Sequence, residues 1–202
     1  MGIVKQIRVG PMQNFAYLLV DEGSREAMAI DSGWETDPIV EAAEREKMVV
    51  KYAVATHEHF DHVTTLRELA DRLGAKVVAH EASGIDADLR VRGGDALELG
   101  QVRVEVIHTP GHTEDSICLF DGRNVFTGDT LFIGNCGRTD LPGGSVRKMY
   151  HSLHDTILAL PPETLIYPGH DYGNAPYRSL GEERKTNPTL LANSLEEFTG
   201  VE

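Results

Sequence analysis

At 202 residues, with 41% hydrophobic and 25% charged side chains, the chain has the size and composition of one globular domain, residues 1–202, able to bury a substantial core. A formal charge of −13 argues against nucleic acid or an anionic membrane surface as partner. No apolar run approaches the roughly 20 residues that cross a bilayer, and Met1-Gly2-Ile3-Val4-Lys5-Gln6 has no apolar signal core, so the expected location is the cytosol.

Along the chain, residues 3–9, 15–20 and 27–30 alternate like strands, with Asp21-Glu22-Gly23 as a turn. Residues 37–47 read as a helix leading into the apolar run 49–55. Residues 66–73 read as a helix closed by Gly74, residues 76–79 as a strand, and His80 as the opening of another helix. Strands follow at 102–107, 116–120 and 124–126. A Gly-rich polar loop over 134–144 precedes a helix over 145–160, which Pro161-Pro162 stops. Residues 165–167 form a last strand, and the chain from Gly181 is helical apart from Asn187-Pro188. This tail packs on its own domain or on a neighbour in a homo-oligomer. The pattern suits two mixed sheets packed together with helices outside. Cys118 reads as a small buried hydrophobe, and two cysteines cannot frame a disulfide-stabilised fold.

The informative segment is Thr56-His57-Glu58-His59-Phe60-Asp61-His62, directly after an apolar run. In extended chain His57 and His59 point the same way and Glu58 the other. Asp61 and His62 fall where a helix begins, so they can face a second point in space. Further donors occur at similar strand ends: Gly111-His112, Gly128-Asp129 and Gly169-His170, each with a glycine that permits a sharp turn. Imidazoles and carboxylates suit zinc, iron or manganese, and no thiolate is required. His80, His108, His151 and His154 read as hydrogen-bonded structural residues.

At these positions the sequence resembles the metallo-β-lactamase superfamily, whose HxHxDH core is met by His57, His59, Asp61 and His62, with His112, Asp129 and His170 following in order. The resemblance implies an α/β (α+β) fold, a four-layer αββα sandwich. It implies two divalent metal ions: one on His57, His59 and His112, the other on Asp61, His62 and His170, with Asp129 bridging. Metal-bound hydroxide would be the nucleophile, with Asp61 orienting it.

Gly134-Asn135-Cys136-Gly137-Arg138-Thr139-Asp140, His170-Asp171-Tyr172, Glu182-Glu183-Arg184 and Asn187-Pro188 are similar to glyoxalase II-like proteins and persulfide dioxygenases. That likeness places Arg138, Tyr172 and Arg184 near a small-molecule thiol conjugate, where arginine can hold carboxylates. Arg138 could instead pair with Asp140. The main expectation is a hydrolase that cleaves a thioester such as an acyl-glutathione. The alternative is a persulfide dioxygenase with a single Fe(II) on His57, His112 and Asp129. A closed structural metal site is a third class, and its usual thiolates are missing.

Overall fold

In the computed structural model, which describes residues 2–201, the N-terminal alternation becomes an antiparallel meander: β1 (Gly2–Val9), β2 (Asn14–Asp21) and β3 (Glu26–Ile30). Met1 and Glu202, the ends of the expected domain, lie outside the described residues. Helix α1 (Asp37–Arg45) leads to β4 (Val49–Val54). Helices α2 (Phe60–Val63) and α3 (Leu66–Leu73) then lead to β5 (Lys76–His80), and β6 (Leu89–Val91) follows. Strands β4 to β6 are added in parallel, which requires such crossovers, and complete a six-stranded sheet.

The second sheet begins with β7 (Ala96–Leu99), β8 (Val102–His108), β9 (Ile117–Phe120) and β10 (Asn124–Gly128), paired antiparallel in sequence order. A small separate hairpin follows, β11 (Leu131–Phe132) and β12 (Asn135–Cys136). Helix α4 (Val146–His151) continues through a π turn, Ser152–Thr156, and a 3-10 turn, Ile157–Ala159. The chain then enters β13 (Leu165–Pro168), parallel to β10, and β14 (Arg178–Ser179) closes the six-stranded order β14-β13-β10-β9-β8-β7. Three short helices end the chain: α5 (Leu180–Thr186), α6 (Pro188–Leu191) and α7 (Leu195–Thr199).

Alternation along β2 shows why the layers stack as they do. Phe15, Tyr17 and Leu19 face the other sheet and pack with Val104, Leu119 and Phe126, whereas Ala16, Leu18 and Val20 face α1 through Ile39 and Ala43. A strand buried on both faces loses its polar face and reads as a nearly continuous apolar run. On the far side, Val125 and Ile166 meet Met149, Leu153 and Phe198. The result is the αββα order, held by side chains that each contribute about 1.5–3 kcal/mol on full burial.

The structure corrects three sequence expectations. His80 ends β5, paired opposite Val91, and no helix starts there. The helix over 145–160 is broken by its π turn, and the loop over 134–144 begins with strand β12. The C-terminal tail packs on its own chain through Leu180, Leu190 and Phe198. Among the described residues no helix is long and apolar enough to cross a membrane.

Candidate metal centre

The donor groups converge where the C-terminal ends of β4, β10 and β13 meet. After β4 the chain stays extended, so His57 turns inward, fully buried, while Glu58 turns out and accepts the Gly84 N–H at 2.8 Å. Helix α2 then starts after His59 and brings Asp61 and His62 to its buried side. Asp129 and His170 arrive on adjacent parallel strands, tied by the Gly169 N–H donating to Gly128 O at 2.8 Å. Gly169 has to be glycine for lack of space: a Cβ there would lie 2.4 Å from Asp129 Oδ1 and 2.9 Å from His62. The loop after β8 delivers His112.

The structure thus brings His57, His59, Asp61, His62, His112, Asp129 and His170 into one cluster. Three sets within it, His57/His59/His112, His57/His62/Asp129 and Asp61/His62/His170, have donor atoms within 4.8 Å of one another. Asp129 spans the cluster: its Oδ2 is 3.6 Å from His112 Nε2 and 3.3 Å from His170 Nε2, and its Oδ1 is 3.3 Å from His62 Nε2.

In four of the histidines the outward-facing nitrogen is engaged, which fixes the atom that faces inward, whereas His59 turns its Nδ1 toward His112 Nε2 at 2.9 Å. His112 Nδ1 donates to Arg138 O at 2.7 Å, and His170 Nδ1 donates to Met12 O at 2.9 Å. His62 Nδ1 pairs with Asp31 Oδ2 at 2.9 Å, and His57 Nδ1 meets Thr56 Oγ1 at 3.1 Å. Asp31 in turn accepts the Thr56 hydroxyl at 2.7 Å. Each of these imidazoles is left presenting Nε2, the arrangement in which outer partners orient metal-binding histidines. Asp61 Oδ2 accepts the Asn14 amide at 2.9 Å, and Asn14 Oδ1 accepts the Trp34 indole N–H at 3.2 Å.

A cation fits this centre on the structure's own terms. His57 Nε2 is buried without a hydrogen-bond partner, a costly state that a coordinated metal relieves, and Asp129 Oδ1 has only His62 Nε2 beside it, at 3.3 Å. Burial, then the neighbouring His62, hold the His57 pKa well below its usual value, so its nitrogen is a neutral ligand at pH 7. Burial opposes the charges of Asp129 and Asp61, but His62 and His170 outweigh it, and both carboxyls stay ionised far below the usual range. Burial likewise opposes protonation of His62 and His170. Asp129 and Asp31 nevertheless raise His62 well above its usual value, and bonds to Asp129 and Asp61 push His170 up to about 9.

Above the cluster lies a cavity of about 650 Å³, floored by His59, Asp61, His112, Asp129 and His170. Its walls are Met12, Phe60, Phe132, Ile133, Leu141 and Tyr172. Tyr172 stacks on His170 at 4.5 Å. Arg138 stands at the rim, its guanidinium bidentate on Asp140 at 2.6 and 2.7 Å. Arg184 is elsewhere: its guanidinium donates to Leu158 O and Leu160 O and terminates the α4 segment. The expectation that Arg184 contacts a thiol conjugate is therefore corrected. Sequence reasoning missed Asn14, Asp31 and the Met12 and Arg138 carbonyls. Asn14 and Asp31 left one signal, a polar residue at the end of an apolar strand; the carbonyls left none.

A model of the metallo-β-lactamase superfamily matches residues 9–85 and 79–170. The human mitochondrial persulfide dioxygenase ETHE1 is 41% identical over 197 residues, covering 93% of this chain and 75% of that protein. The crystal structure of ETHE1 from Myxococcus xanthus superposes with a TM-score of 0.93 at 37% identity, covering 98% of this chain and 89% of that one. The hydroxyacylglutathione hydrolase of Pelagibacter ubique is 36% identical and covers 79% of this chain and 67% of that protein. The thioester-hydrolase expectation is overturned by this contrast. The dioxygenases match more of the chain at higher identity, and the shared ligand types do not separate the two chemistries.

Proposed function

Because the chain belongs to the metallo-β-lactamase superfamily, we propose that it is a persulfide dioxygenase acting on a low-molecular-weight persulfide such as glutathione persulfide, with one non-haem iron per chain. The observation that carries this reading is the 41% identity to a persulfide dioxygenase across 93% of the chain. The donor set agrees with it. His57, His112 and Asp129 make up the two-histidine, one-carboxylate set that suits Fe(II) in oxygenases, and His57 offers a neutral, otherwise unpaired nitrogen. Iron held there supplies open coordination positions and the electron chemistry that O2 requires.

The chain's own residues do the rest. Asp31 and Asp61 hold His62 and His170 against Asp129, so the carboxylate is oriented from both sides. The Arg138 carbonyl fixes the tautomer of His112. Phe132, Ile133 and Tyr172 make a low-polarity wall that limits water around a reactive sulfur. Arg138, exposed and paired with Asp140, can exchange that partner for a substrate carboxylate.

The test is oxygen uptake by Fe(II)-loaded protein given glutathione persulfide, with Asp129→Ala as control. Uptake that disappears in the variant is the expected result. Absence of uptake from wild-type protein that has retained its iron refutes the reading.

A further inference from the structure

The C-terminal helices touch a wall of the cavity from behind without lining it. Glu183, on α5, is fully buried at 0% exposure, outside the metal cluster. Its Oε2 accepts the Gly134 N–H at 2.7 Å and the Asn187 side-chain amide at 3.0 Å, while Oε1 accepts Arg178 at 3.1 Å. The buried Asn187 side chain also has its amide nitrogen 3.3 Å from Phe132 O and 3.2 Å from Asn135 O, which share its second hydrogen. Its Oδ1 accepts the Thr189 N–H and caps α6. A buried carboxylate is expensive unless every lone pair is used. Three donors are aimed at this one.

The three backbone groups held, Phe132 O, Gly134 N and Asn135 O, all belong to the β11–β12 turn. That hairpin forms the cavity wall through Phe132 and Ile133 and runs straight into Gly137 and Arg138. There the chain touches the metal centre. A Cβ on Gly137 would lie 1.8 Å from Asp129 O and 3.2 Å from His112 Nδ1, so the backbone lies against both ligands. The next carbonyl, that of Arg138, accepts the His112 Nδ1 proton.

We propose that Glu183 and Asn187 form a positioning clamp that sets, through the 132–138 loop, both the shape of the substrate cavity and the orientation of His112. The inference rests on reading that cavity as the persulfide site. Neither residue touches substrate or metal; both act through the loop.

The test uses the iron-loaded full chain. Glu183→Gln keeps the side-chain volume but has one acceptor oxygen, so its amide hydrogens must confront either Arg178 or the Gly134 and Asn187 donors. The expected result is amide exchange over 133–137 faster by about tenfold or more, with β9 still protected. KM for glutathione persulfide is expected to rise about tenfold because the cavity wall shifts, and kcat to fall about threefold or more because His112 is held less firmly. Fe(II) should pass to a chelator several times faster, since outer partners hold metal ligands in place. Asn187→Ala, read at the same amides, provides the measurement if Glu183→Gln does not fold.

Unchanged exchange at Gly134 together with unchanged KM overturns the clamp. Protection lost evenly over both sheets also overturns it, because a carboxylate that merely stabilises the fold gives that pattern. If the wild-type protein consumes no oxygen, the dioxygenase reading fails, while exchange and chelator transfer still decide the clamp.

Discussion

Replacing Asn14 with alanine isolates the hydrogen bonds that hold Asp61. The Asn14 side chain is buried and donates to Asp61 Oδ2 at 2.9 Å and Asp61 O at 3.2 Å, while accepting the Trp34 indole at 3.2 Å. The charge-assisted bond contributes about 1.5–3 kcal/mol and the two neutral ones about 1 kcal/mol each, so the variant should lose about 4 kcal/mol. For a chain of this size that corresponds to a Tm lower by about 10 °C. Urea and thermal unfolding of the metal-free protein at pH 7 measure both quantities. Iron content is expected to stay near one per chain, because Asp61 lies outside the His57, His112, Asp129 set. A loss under about 1 kcal/mol would show that His62 and His170 hold Asp61 unaided, and would refute the additive account.

Burial pushes the Cys118 thiol up to about 11. The unfolded chain, with a thiol near 8.5, therefore releases its proton first. The stability contribution is complete below pH about 8.5 and is lost as pH rises toward about 11, at up to about 1.4 kcal/mol per pH unit. Urea midpoints for Cys118→Ala should lack this alkaline decline, and a decline identical to wild type refutes the assignment. Arg138→Ala should raise KM for glutathione persulfide about tenfold with little change in kcat, as expected for a lost carboxylate contact. An unchanged KM removes Arg138 from the binding site. Arg184→Met should leave KM unchanged and lower stability by about 2 kcal/mol, because two carbonyls at the end of the α4 segment lose their donor. A raised KM would return Arg184 to the substrate.

The donor set was legible because its signal lies in side-chain identity: histidines and carboxylates at strand ends, three of them after glycine. The long strands were legible for a related reason, since alternation over β1 or β8 spans several residues. Strands β11, β12 and β14 carry two residues each, too few for any period to show. The partners that orient His112 and His170 are backbone carbonyls, which every residue possesses. Glu183 and Arg184 were visible as a motif. Which of the two neighbours faces the cavity wall depends on helix phase against a loop far away in sequence, so Arg184 was expected near the substrate although its guanidinium donates to Leu158 O and Leu160 O. The choice between hydrolase and dioxygenase was illegible for a chemical reason. Both can be built on the same imidazoles and carboxylates, and the metal that differs is not encoded by ligand type alone.

His62 and His170 face each other from positions 108 residues apart in sequence, and the strands carrying Asp129 and His170 pair in parallel. Four of the seven donors come from one short segment, His57 to His62, but the cluster is completed only when His170 arrives after the α4 crossover has closed a long loop. A chain interrupted before β13 retains His57, His112 and Asp129 but lacks His170, so Asp129 keeps its His62 contact and loses the partner that holds it from the other side.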